Sequence, residues 1–307
     1  MLKPSKSSER SGGLKVKESP DVKELVLEKD VKIEEGVSIK GGKLVIREGT
    51  ILRSGTRIDV SEYLEIGRNS IVGEDNIIRG RDIRIGREFY SNHDAEIGGG
   101  GCFERTSKLT IGYWFHLGSY SIVNTAMEIK IGNEVGMGRF TNAYTHGAYQ
   151  SALDGFPVDF GSITIGNNVW MPGATILPNV IIGDNVVIGV GSLVSKDVPS
   201  GCFAAGVPCK VIRDNCYPRE LPIEEKLRII EHINDNWDLG MVFQSDCTFR
   251  IDSAVVDFES MRFSGRSSEK SERARNILRR HGIRFKVDVV DNTYIEWTDS
   301  GVKSSTH

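Results

Sequence analysis

Aliphatic residues recur through the middle of this chain at intervals of six. Such steps join Ile66, Val72 and Ile78; Ile111, Leu117 and Val123; Ile131, Met137 and Ala143; Ile165 and Met171; and Ile182, Ile188 and Val194. The interval fits neither a helix, whose faces repeat about every 3.6 residues, nor a plain alternating strand. Four residues after these aliphatics stands a small or branched residue: Ser70, Ser121, Val135, Thr141, Val169, Thr175, Val186 or Ser192. Together the two regularities predict a parallel β-helix, in which each short strand buries one aliphatic before the chain turns a corner.

Glycine sharpens this picture. The chain has 34 glycines in 307 residues, against an average of about 7%. Of these, 28 lie between Val31 and Arg213, many directly after an aliphatic, as in Ile66-Gly67, Ile131-Gly132 and Ile165-Gly166. The expected reason is the corner, where glycine and asparagine accept positive φ at little cost.

Breaks in the register locate loops, because an inserted residue away from a corner would turn buried aliphatics outward. Three stand out: Gly98 to Ser107 (GGGGCFERTS), Asn124 to Lys130, and Tyr144 to Ser162. The last is long for a structureless connection and contains Thr145-His146-Gly147, which makes it a functional candidate. A fourth irregularity is a step of five, from Met171 to Ile176.

After Arg213 the pattern changes. Pro222 to Trp237 places Ile223, Leu227, Ile230, Ile233 and Trp237 at helical spacing, behind a proline and with acids in the first turn. Ser267 to His281 reads as a second helix stopped by Gly282, and Phe249 to Phe263 and Arg284 to Trp297 read as strands. The expected organisation is a flexible polar segment over residues 1–30, a β-helix over 31–213 carrying a catalytic loop at 144–162, and a small α+β domain over 214–307.

Charge and cysteine content remove several function classes. With 39 basic and 42 acidic residues spread along the chain, net −3, there is no electrostatic footprint for nucleic acid or an anionic membrane. No run of 18 apolar residues occurs and the polar start lacks an apolar core, so a cytoplasmic protein is expected. The five cysteines, 102, 202, 209, 216 and 247, form no CxxC pair and read as reduced thiols.

The segment Ile163 to Arg213 contains IGNNVW, an LP before a further IGDN, the SKDVP corner and the closing AAGVPCKVIR. In these motifs and their order it resembles the acetyl-CoA-dependent hexapeptide acyltransferases, particularly their galactoside, maltose and xenobiotic acetyltransferase branch. The resemblance implies a left-handed β-helix assembled as a homotrimer, with clefts between subunits and direct transfer of acetyl from CoA to a saccharide hydroxyl. It implies His146 as the general base, and imidazole, with an ordinary pKa near 6.5, suits removal of a proton at neutral pH. For acetyl-CoA, motif position implies Ser195 and Lys196 in SKDVP and Lys210 and Arg213 in GVPCKVIR, with Trp170 beside the cleft. Ammonium and guanidinium groups both suit the phosphates of a nucleotide-bearing substrate. Asn124 and Asn142 are the polar residues expected near the acceptor, and no metal is expected.

The chain also departs from that family. Met171-Pro172-Gly173 replaces the usual pair at one corner, and Ser121 to Thr125 replaces the residues that hold the sugar in galactoside enzymes, so the acceptor need not be a galactoside. Glu134, Asp154, Asp159 or a backbone carbonyl are the groups considered for orienting His146. Competing readings are N-acylation of an amino sugar, a β-helix scaffold without catalysis, and a covalent relay through Cys102 or Cys202. A zinc site of the β-helix carbonic anhydrase type would need a close histidine pair, which His93, His116 and His146 do not provide.

Overall fold

The computed structural model describes residues 21–298 and the short strands Lys15–Val16 and Gly301–Val302. The rest of residues 1–20, and with it most of the segment expected to be flexible, lies outside the described residues. The end of that segment is part of the β-helix: Val22–Leu27 pairs in parallel with Ser38–Ile46, and Val22 and Leu25 are buried in the core. The solenoid therefore starts before residue 31. By compactness the chain divides into two units, 1–218 and 219–307.

The first unit is a parallel β-helix with three walls. One wall holds Glu96–Gly98, Ile122–Asn124, Asn142–Ala143, Thr175–Ile176 and Leu193–Val194. A second runs from Lys32–Ile33 through His116–Leu117, Gly136–Met137, Val169–Met171 and Val186–Ile188 to Phe203–Ala205. The third holds Lys108–Ile111, Ile129–Ile131, Ile163–Ile165 and Ile181–Ile182. In the early coils the first and third walls are one strand: Ser38–Ile46, Arg57–Ile66 and Ile77–Ile85 each round that corner without interruption.

The six-residue steps are the inward positions. Ile66, Val72, Ile78, Ile111, Leu117, Val123, Ile131, Met137, Ala143, Ile165, Met171, Ile182, Ile188 and Val194 all belong to one buried cluster. The small residues four further on bind the backbone at corners. Thr141 Oγ1 donates to Met171 O (2.8 Å) and Ser121 Oγ to Gly138 O (2.9 Å), carbonyls of the next coil, whereas Ser70 Oγ and Ser192 Oγ donate to Gly67 O and Gly189 O of their own coils.

Glycine fills some left-handed corners as expected, among them Gly49 (70°), Gly55 (72°) and Gly191 (71°), but most glycines that follow an aliphatic serve another purpose. The corner residues with left-handed φ are mostly not glycine: Asn69 (55°) and Asn168 (53°) at one corner, Asp75 (55°) and Asp94 (54°) at another. The glycines after the aliphatics stand where successive coils nearly touch. A Cβ on Gly73 would lie 2.5 Å from Asn92 O, and one on Gly132 would lie 2.6 Å from Gly166 O. Close approach of backbone to backbone, not positive φ, excludes a side chain there.

The second unit has its own core, which includes Ile230, Ile233, Phe249, Ile251, Phe263 and Leu278. A four-stranded antiparallel meander (Val242–Ser245, Thr248–Ile251, Ala254–Asp257, Arg262–Gly265) is joined by the hairpin Val287–Val290 and Thr293–Thr298. The helices are Ile223–Trp237, preceded by Pro222, and Glu269–Arg280, opened by a capping box of Ser268 and Ser271.

Candidate active site

The long loop leaves the β-helix after Ala143 and is held at its base by two devices. Thr145 is buried; its hydroxyl lies 2.9 Å from both the backbone O and Oδ1 of Asn124 and accepts from Met127 N at 3.1 Å. His146–Gly147 then pairs antiparallel with Asp159–Phe160, closing the loop as a short ribbon. Across that ribbon the His146 and Phe160 rings stack with centroids 5.5 Å apart and planes 15° from parallel. The imidazole is half-buried with one flat face covered.

His146 Nδ1 lies 3.0 Å from Asn124 Oδ1. The amide's orientation follows from its other partners: Ala126 N donates to the same oxygen at 3.4 Å, while Nδ2 donates to Gly100 O at 3.3 Å. An amide oxygen only accepts, so in the neutral ring Nδ1 carries the proton and Nε2 carries the lone pair. Nε2 faces the tetraglycine turn, where a Cβ on Gly100 would lie 3.7 Å from both Cε1 and Nε2. The ring is therefore fixed in the tautomer of a base, with its basic edge beside backbone that bears no side chain.

None of the carboxylates considered from sequence is the hydrogen-bond partner of Nδ1. Asp159 Oδ1 instead accepts from Asn179 Nδ2 at 2.9 Å, Asp154 lies in the exposed turn Ala152–Asp154, and Glu134 occupies a corner with φ 59°. Asn124, expected near the acceptor, holds the imidazole, and its side chain is buried beneath the loop. Sequence distance hid this pairing: Asn124 and Thr145 occupy adjacent coils and are joined by Thr145 Oγ1. Asn142 stands outward on the first wall, half-buried, with Nδ2 3.4 Å from Phe140 O.

The residues expected to hold the donor gather elsewhere. Ser195 and Lys196 follow Leu193–Val194, and Lys210 and Arg213 bound the last strand, Lys210–Arg213, antiparallel to Phe203–Ala205. Cys209 N donates to Leu193 O at 2.8 Å, which ties the two motifs together at the C-terminal end of the solenoid. Lys196, Lys210 and Arg213 are exposed, and among the described residues none is in an ion pair; Arg213 lies over the Phe203 ring at 5.5 Å. Trp170 is two rungs from Phe203 on the second wall, in register through Val187. It lies flat on Gly136, where a Cβ would come within 2.5 Å of its ring, and is 45% exposed. Trp170 and His146 are on different walls, so one chain does not bring them together.

The remaining candidates are engaged otherwise. His93 Nδ1 pairs with Asp94 at 2.7 Å, and His116 meets the Tyr90 ring edge-on at 5.4 Å. Burial pushes the thiol pKa values of Cys102 and Cys202 upward, which disfavours the thiolate that a covalent relay would need. No helix among the described residues is long and apolar enough to cross a membrane.

Residues 162–196 match the bacterial transferase hexapeptide family (six repeats). Galactoside O-acetyltransferase of Escherichia coli (strain K12) is 60% identical over 53 residues, 17% of this chain and 26% of that protein. A solved galactoside acetyltransferase in complex with coenzyme A is 34% identical, covering 43% of this chain and 55% of that one, with a TM-score of 0.27. A maltose O-acetyltransferase from Clostridium difficile 630 is 28% identical over 47% of this chain and 68% of its own, with a TM-score of 0.29. The chain thus spans about a quarter of the length of the Escherichia coli relative, and the family match falls in the later coils of the solenoid.

Proposed function

We propose that this chain, whose residues 162–196 match the bacterial transferase hexapeptide family, transfers acetyl from acetyl-CoA to a saccharide hydroxyl with His146 as general base. One observation carries the reading: Asn124 holds Nδ1–H, which leaves Nε2 as the proton acceptor beside a turn without side chains. The acceptor hydroxyl oxygen attacks the thioester carbonyl as its proton passes to Nε2. When the C–S bond breaks, the same proton returns to the departing CoA thiolate, and the hydroxyl oxygen keeps the acetyl group. The imidazolium formed between these steps is stabilised by its hydrogen bond to Asn124 Oδ1.

Several features support the finer parts. The exposed cations Lys196, Lys210 and Arg213 at one end of the solenoid suit the phosphates of CoA, with Ser195 beside them and Trp170 available to the pantetheine arm. Tyr149 (96% exposed) and Leu153 (98%) leave an apolar loop tip uncovered in a single chain, as a homotrimer with clefts between subunits would require. Such a cleft would also let one subunit's His146 meet another's Trp170. Acetyl-CoA as donor fits a cytoplasmic enzyme.

The test is incubation with labelled acetyl-CoA and a panel of saccharides and amino sugars, with products identified by mass and by alkali lability. Label in alkali-labile esters supports the proposal. Label only in stable amides would replace it with N-acylation, and no transfer to any acceptor would leave a scaffold.

A further inference from the structure

Phe140 to His146 forms one edge of the coil that carries the candidate base, and its residues alternate strictly: Phe140, Asn142, Tyr144 and His146 point outward, while Thr141, Ala143 and Thr145 are buried. The outward row ends at the imidazole on one side. On the other side it ends at a corner unlike its neighbours.

Elsewhere along that corner the left-handed position is filled by Gly55, Asp75, Asp94 or Gly191, residues that tolerate it. Two successive coils instead place aromatic residues there, Tyr120 (φ 59°) and Phe140 (φ 62°). A bulky side chain in this conformation is disfavoured, and such outliers concentrate where function keeps them. Neither ring is used in the core: Tyr120 is 42% exposed and Phe140 54%. They stack at 5.5 Å with planes 20° apart, and His93 meets Tyr120 edge-on at 5.3 Å.

Two further features shape the corner. The Arg139 guanidinium lies 4.6 Å from the Phe140 centroid and 5.1 Å from that of Tyr120, and among the described residues it is in no ion pair. The next coil is the one whose step is five: its corner is made by Pro172 and Gly173, and Gly173, with no side chain, sits against Arg139 O. The coil beyond Phe140 therefore adds no ring to the stack.

We infer that Tyr120, Phe140 and Arg139 form a second acceptor subsite, which takes an acidic sugar residue of an extended saccharide whose reacting hydroxyl lies at His146. Aromatic faces suit the apolar faces of sugar rings, and an unpaired guanidinium suits a carboxylate. Asn142 and Tyr144 lie between the two ends, and the six steps from Phe140 to His146 span up to about 20 Å, a length that accommodates several sugar units. This inference rests on the reading of the first site as a saccharide acetyltransferase.

Its test is binding, measured by calorimetry and saturation-transfer NMR, of galacturonate and glucuronate trimers, their monomers, and maltotriose. The proteins are wild type, Arg139→Gln, and the double variant Tyr120→Asn and Phe140→Asn. Asparagine tolerates the left-handed corner, so the double variant should keep its fold, checked by its melting temperature. The expected result is tighter binding of an acidic trimer than of its monomer or maltotriose. The double variant should weaken that binding about tenfold, and Arg139→Gln should remove the preference for acid. Failure of wild type to bind the acidic trimers, or equal binding by wild type and the double variant, overturns the inference. So does a change of oligomeric size in the double variant, which would make the corner a contact between copies. Binding as expected without acetyl transfer would uphold the subsite and reject the transfer reaction.

Discussion

The same corner of the β-helix is built in two ways. In the coils before residue 86 a strand of 9 or 10 residues rounds it unbroken, and its outer surface carries an ion-pair ladder in which Arg47 bridges Glu28 and Glu65. In the coils after residue 97 that strand is cut in two, and the chain leaves the solenoid there at 98–107 and 144–162. His146, Asn124 and Gly100 all belong to the opened version. The inward aliphatics are continuous through both, in one cluster. Insertions at a corner therefore leave the buried ladder in register, and the closed half holds a scaffold on which the open half can carry chemistry.

Substitutions that affect one half only would sharpen this contrast. The largest effect is expected from His146→Ala, which should lower kcat/KM by about 10²–10⁴ while thermal unfolding stays unchanged, since the ring lies outside the core. Asn124→Ala removes the acceptor for Nδ1–H and the support of the imidazolium, and should lower kcat by about 10- to 100-fold in steady-state assays. Gly73→Ala, in the closed half, forces a Cβ to 2.5 Å from Asn92 O and should destabilise by roughly 1–3 kcal/mol in denaturant unfolding. Gly147→Ala, in the loop, has no atom within 4 Å of its Cβ and should leave stability unchanged.

The smallest effect belongs to the ladder. Burial alone would raise the Glu65 carboxyl, but hydrogen bonds from Tyr63 and Arg47 outweigh it and hold the pKa below the usual glutamate value. A depressed carboxylate pKa contributes stability above the unfolded-state value and loses it as pH falls through the folded-state one. Arg47→Ala should therefore destabilise by less than about 1 kcal/mol at neutral pH. The difference from wild type should vanish in acid; an effect that persists there would place the role of Arg47 in packing.

Much of the scaffold was legible because burial in a β-helix is periodic. Each inward position follows from the last by a step of six, and Thr141 or Ser121 at a corner follows from the need to satisfy a buried carbonyl. The purpose of the glycines that follow the aliphatics was misread, because a close approach between Gly132 and Gly166 links residues a full coil apart and leaves no local signal. The partner of His146 was hidden for the same reason: a side chain bonds across coils, and the nearest acids in sequence point elsewhere. The aromatic corner could have been noticed from Tyr120 and Phe140, which stand one coil apart where neighbouring coils carry aspartate or glycine. The strands of residues 219–298 were read only in part, since short hairpins with mixed exposure, such as Val242–Ser245, carry little periodicity.

The central claim is that Nε2 of His146 is the base for acetyl transfer from CoA. A crystal structure of the full chain with CoA tests it most directly. The account predicts the thiol within hydrogen-bonding reach of Nε2, with the phosphates among Lys196, Lys210 and Arg213 and Nδ1 still on Asn124. A thiol bound away from His146, or an imidazole turned so that Nε2 faces Asn124, would contradict it.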